Sequence, residues 1–168
     1  MNNSSAVHPS PPATLAAMHA APVDPRVDGL LGLYRTHFTT LVRLAVLLVA
    51  DHEVAVEIVD DVFVDQARVR GAAAGELPAV GSLRNAVVAA ARERPPISAA
   101  DAGSADELLG AIYALPHVQR ESLVLQHYGA LGDDDVVAAA GAPLDVVAAR
   151  ASEGLRAVAS MLAVRDQQ

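Results

Sequence analysis

A chain of 168 residues with 52% apolar side chains can bury a core, either as one medium domain or as two small helical ones. The absence of Cys excludes a disulfide scaffold and any thiolate metal site, and His8, His19, His37, His52, His117 and His127 lack the spacing of a zinc centre. A net charge of −8, with arginine as the only strong base, argues against general nucleic-acid binding, which depends on neutralising phosphates.

Residues 1–25 are rich in Ser, Asn, Pro and Ala and lack an apolar face, which predicts a disordered tail. No basic-then-apolar leader is visible, and the longest aliphatic run, Leu44 to Ala50, falls far short of the roughly 20 residues a membrane span requires. A soluble, cytoplasmic protein without membrane contact is expected. From Leu30 to Val49 apolar residues recur with the spacing of an amphipathic helix. Asp51 is suited to cap a second helix, with Val54, Ile58, Val62 and Phe63 facing inward. Glu53, Glu57, Asp60, Asp61 and Asp65 make its outer face acidic. A break at Gly71–Pro78 precedes a third helix, expected over Leu83–Arg94 with Ser82 as its cap. Leu83, Val87 and Ala90 or Ala91 form its apolar stripe, and Pro95-Pro96 ends it.

Residues 95–105 read as an interdomain linker. A helix over Asp106–Ala114 follows. The next opens at Pro116, in a first-turn position where a missing N–H costs nothing, and runs through Tyr128 to a stop at Gly129. A short helix, Asp133–Ala140, then turns through Gly141-Ala142-Pro143 into a final helix, 144–163. Val147, Ala151, Leu155, Val158 and Leu162 are expected on one face of it. Two helices joined by a tight Gly-containing turn make a helix-turn-helix signature. The predicted fold class is all-α, with two small helical domains at 26–94 and 106–168.

Little points to an enzyme. There is no Gly-rich phosphate loop, no paired metal ligands and no Ser/His/Asp order, so no catalytic, metal or cofactor site is expected. The run Asp133-Asp134-Asp135 suits the first turn of a helix, where the dipole favours negative charge.

The stretch LYRTHFTTLVRLAVLLVADHEVAVEIVDDVFV (33–64) pairs a helix opening Leu-Tyr-Arg with an acidic helix ending in Asp-x-Phe. SLRNAVVAAARER (82–94) follows. The stretch 114–162 then carries Leu-Pro-x-x-Gln-Arg-Glu, a Leu-Val-Leu-x-x-Tyr helix, Ala-x-x-Gly and Val-x-x-x-x-Ser-x-Gly-Leu. In this order the segments resemble a divergent extracytoplasmic-function (ECF) sigma factor of the sigma-70 family, with a region 2-like and a region 4-like domain. The resemblance implies that Glu57, Asp60, Asp61 and Phe63 dock on core RNA polymerase. It implies that Arg84, Asn85 and Arg92 face promoter DNA, and that Pro143, Leu144, Ala148, Arg150 and Ser152 enter a major groove. An anti-sigma factor or other regulatory protein is a further implied partner, and promoter-specific transcription initiation the implied function.

The sequence departs from that pattern where DNA would be touched. Asp145 and Glu153 would repel phosphates, and 106–168 holds four Arg against nine acids. Between Phe63 and Ser82 no aromatic residue is present to stack on melted DNA. A second reading is therefore a degenerate sigma-like regulator that works by protein contacts without promoter reading. A third is an unrelated helical interaction or enzyme domain.

Overall fold

A computed structural model describes residues 25–72, 76–94 and 106–165. They form seven helices: α1 (Pro25–Val49), α2 (His52–Ala72), α3 (Val80–Arg92), α4 (Glu107–Tyr113), α5 (His117–His127), α6 (Asp133–Ala140) and α7 (Leu144–Arg165). Among the described residues there is no strand, and no helix is long and apolar enough to cross a membrane. The expected tail up to residue 24 and the expected linker, 95–105, lie outside the described residues.

Local chemistry sets most of the boundaries. Ala50 takes a left-handed φ of 62°, and its N–H donates to the Val46 carbonyl at 2.8 Å, which closes α1. Asp51 Oδ1 then accepts from the Val54 amide at 3.0 Å and caps α2 as expected. Asp106 caps α4 in the same way, accepting from Leu108 and Leu109. Gly141, at φ 62°, ends α6 in the left-handed conformation that glycine adopts without strain. α1 begins at Pro25, within the stretch assigned to the tail, and α2 continues through Gly71 to Ala72, into the expected break.

The expectation for α3 is corrected at both ends. Helical bonding starts when Leu83 N–H donates to the Ala79 carbonyl at 3.2 Å, so Ser82 lies inside the first turn and caps nothing. Ala79, just after Pro78, is still extended at φ −62° and ψ 146°, and the helix begins directly after it at Val80. At the other end the Glu93 and Arg94 amides reach the Ala90 and Ala91 carbonyls at 3.3 Å, so the last turn tightens beyond Arg92.

The core draws on both halves of the chain. Leu41, Leu44, Ala45 and Leu48 of α1 pack with Ala55, Ile58, Val59 and Val62 of α2 and with Leu83, Val87, Val88 and Ala91 of α3. Val124 and Leu125 of α5, Val136 and Ala139 of α6 and Val147 of α7 belong to the same cluster. Each large side chain fully buried here contributes about 1.5–3 kcal/mol from area removed from water. A smaller cluster of Ala111, Leu115, Leu123 and Val158 joins α4, α5 and α7.

The buried stripe of α7 also differs from the expected one. Leu155 is 54% exposed, and Gly154 takes the inward position instead. At about 100° per residue, position 154 lies within about 20° of Val147, whereas 155 lies about 80° away. A Cβ there would stand 3.4 Å from the Gln119 carbonyl and 3.4 Å from Leu115 Cδ1, at ordinary contact distance from α5.

Candidate functional site

The outer face of α2 carries a ridge of acids. Glu53, Glu57, Asp61 and Asp65 recur every fourth residue, and all four are exposed. Like charges at this spacing destabilise a helix by about 0.2–0.5 kcal/mol per pair. The helix dipole favours only Glu53, in the first turn. Two arginines partly relieve the repulsion: Arg68 meets Asp65 at 3.0 Å, and Arg94 reaches Asp61 at 3.3 Å. The ridge is thus held against its own electrostatics and remains a concentrated negative surface.

Beside it runs an apolar groove of about 380 Å³, lined by Leu30, Leu31 and Tyr34 of α1 and by Asp60, Phe63 and Val64 of α2. The Tyr34 hydroxyl donates to Asp60 Oδ1 at 2.9 Å, and its ring meets Phe63 edge-on at 5.1 Å between centroids. Burial, and then the bond to Asp60, raises the Tyr34 pKa above its ordinary value. Of the four residues expected to dock on polymerase, Glu57 and Asp61 are exposed. Asp60 is half-buried and held by Tyr34, and Phe63 is buried, wedged between the helices. The acidic residues can meet a basic partner directly, while Phe63 fixes their backbone.

Two of the three residues expected to face DNA from α3, Arg84 and Arg92, bond to the second half of the chain. Arg92 forks onto Glu121 of α5, Nε to Oε2 at 2.8 Å and Nη2 to Oε1 at 2.6 Å, and Nη2 also donates to the Ala139 carbonyl of α6. The bond to Glu121 raises the Arg92 pKa, while burial opposes it. Arg84 Nη1 donates to the Ala130 carbonyl at 2.8 Å. The Asn85 Oδ1 is buried and accepts nothing among the described residues. At the start of the same helix, Gly81 leaves room for the Asp135 carboxylate, which would stand 2.7 Å from a Cβ.

In the helix-turn-helix, Pro143 and Ser152 are exposed, whereas Leu144, Ala148 and Arg150 are half-buried. Asp145 and Glu153 are both exposed beside them. Behind this unit Arg120 is buried and donates Nη1 to the Tyr113 carbonyl at 3.1 Å, while its Nε finds no acceptor among the described residues. Burial lowers the Arg120 pKa and raises that of the Tyr113 hydroxyl.

Two participants lay beyond sequence reasoning. Glu121 is visible only as an acid in a helix, because its role depends on Arg92, distant in sequence. The groove beside Tyr34 requires knowing how α1 and α2 pack at that point. Among the described residues no group of three or more His, Asp or Glu could hold a metal ion. Comparison with family models, with curated proteins and with solved structures finds no match to this chain.

Proposed function

We propose that this chain is a sigma-like regulator of the ECF type that acts on core RNA polymerase through the acidic ridge of α2. The observation that carries the reading is the ridge itself: four exposed acids, unfavourable for the helix, beside an apolar groove. A negative ridge with apolar relief suits a basic helical surface and gives fast, salt-sensitive association. The resemblance over 33–64 implies polymerase as the partner of this helix.

Protein contact rather than promoter reading is the better-supported mode. Arg84 and Arg92, the bases expected to meet DNA from α3, are occupied by Ala130, Glu121 and Ala139. The exposed acids of α7 would oppose phosphate contact from the other half. A full sigma factor directing promoter-specific initiation is the second reading. The exposed bond from Arg84 to a carbonyl favours it, since water or phosphate could replace that acceptor at little cost.

Binding of the purified protein to core RNA polymerase, measured across a salt series, tests the proposal. Micromolar or tighter binding that weakens with salt, and weakens at least tenfold with Glu57→Lys plus Asp61→Lys, is the expected result. Absence of binding in the unsubstituted protein would overturn it. Selective retention of promoter fragments by the complex would move the assignment to the second reading.

A further inference from the structure

The groove between α1 and α2 holds a charge that the fold does not neutralise. Leu30, Leu31, Tyr34, Phe63 and Val64 make its walls, and Asp60 is the one carboxylate among its lining residues. Leu31 and Val64 are 39% and 46% exposed, so the apolar wall meets solvent, while Phe63 is buried.

Tyr34 fixes this carboxylate in place. Its ring packs on Phe38, at 4.8 Å between centroids, and on Phe63, and its hydroxyl donates to Oδ1 of Asp60. Oδ2 has no bonded partner among the described residues. Arg68 and Arg94 are committed elsewhere, to Asp65 and Asp61. Glu57 and Asp61, each within a turn of Asp60 on the same helix, carry the same sign. A half-buried carboxylate between apolar walls is stabilised by a cation, and the described residues supply none.

We infer that this groove binds a small amphiphilic cation, a protonated primary amine on a short hydrocarbon tail. The ammonium would donate to Oδ2 of Asp60, and the tail would lie on Leu30, Leu31 and Val64. A volume of about 380 Å³ falls at the small end of the roughly 300–1,000 Å³ typical of small-molecule sites, which also combine apolar walls with a few placed polar groups. A helix, roughly 10–12 Å across with its side chains, can pass over such a groove but not enter it. The carboxylate repels anions. A neutral apolar molecule would cover that carboxylate without pairing it, which is costly. A hard divalent cation prefers about six oxygen ligands, and the lining offers a single carboxylate. The groove lies beside the ridge proposed to meet polymerase, but the inference does not rest on that proposal and is tested without polymerase.

The test is a titration of the isotopically labelled full chain with hexylammonium, read by two-dimensional NMR, with hexanol and hexanoate as probes carrying a tail of the same length. Saturable shifts centred on Leu31, Tyr34, Asp60 and Val64 are expected, with a dissociation constant on the order of 1 mM or tighter. Hexanol should bind at least about fivefold more weakly, and hexanoate should not bind measurably. Asp60→Asn keeps an acceptor for the Tyr34 hydroxyl and should hold the fold, yet weaken hexylammonium binding about fivefold or more. Leu31→Ala, at an exposed helical position, gives an independent reading and should weaken it about threefold. Asp145→Asn, which removes an exposed acid on α7, should leave it unchanged. Equal binding of hexanol and hexylammonium, full affinity in Asp60→Asn, or shifts that fail to saturate or to centre on the groove would each overturn the inference.

Discussion

Arg92 on α3 and Glu121 on α5 are joined by two parallel hydrogen bonds, of 2.8 and 2.6 Å, across the seam between the halves of the chain. The arginine side chain is 36% exposed and the glutamate 10%, so the acid depends on the base for its solvation. Removing one partner of such a pair is far more costly than the pair's net worth.

Arg92→Met should therefore destabilise the protein by about 2 kcal/mol, below the range for fully buried pairs because the arginine is partly in water. Glu121→Gln, which keeps an acceptor, should cost about 1 kcal/mol. Urea midpoints measure both, and the double variant gives the coupling. Additive single effects would show that the fork contributes no interaction energy.

Glycines at two positions should respond in opposite directions. Gly154→Ala places its Cβ at ordinary contact distance inside a helix, so the gain in helix propensity should leave the protein equal or more stable by about 0.5–1 kcal/mol. Gly141→Ala meets nothing but must hold φ 62°, and should cost about 1–2 kcal/mol. Thermal melts distinguish the two. Loss of stability at 154 would mean that α7 and α5 cannot yield a few tenths of an ångström.

Alkaline sensitivity should trace in part to Tyr34. Its folded-state pKa lies above the ordinary 10.0, so its contribution to stability is fully present below pH 10 and is lost as pH rises through the folded value. Beyond that point the phenolate would face the Asp60 carboxylate. Stability measured from pH 8 to 11 should fall more shallowly in Tyr34→Phe. Tyr113, also raised by burial, keeps a residual slope.

On α7, Leu155→Glu should change stability by no more than about 0.5 kcal/mol, because the side chain is exposed. Val147→Ala, at a site with no solvent exposure, should cost about 2 kcal/mol. Equal costs would restore the stripe through Leu155.

The elements themselves were legible because their signals are local. Asp51 at a helix start and Gly141 after an apolar run each act within four residues, and each acts as read, whereas Pro116, expected in a first turn, stands just before it as the extended residue that α5 follows. The departures have the same origin. Ser82 is a good cap in isolation, but Pro78 and the extended backbone after it start the helix sooner. Leu155 is a plausible core residue by type, yet the way α7 lies on α5 turns position 154 inward and leaves Leu155 exposed. The acidic face of α2 was readable from spacing alone. What Arg84 and Arg92 bind was not, since Ala130, Glu121 and Ala139 come to them only through tertiary packing.

The corner at Ala50 bears on how the molecule can move. Two residues, Ala50 and Asp51, make the whole connection between α1 and α2, and the alanine occupies a left-handed well that side chains other than glycine rarely visit. That well is narrow and separated by steep barriers from the right-handed and extended regions. The joint therefore has one setting and no gradual swivel: leaving it would swing α2 off α1 and bring Ala55, Ile58 and Val59 into water together. α1 and α2 move as one lever.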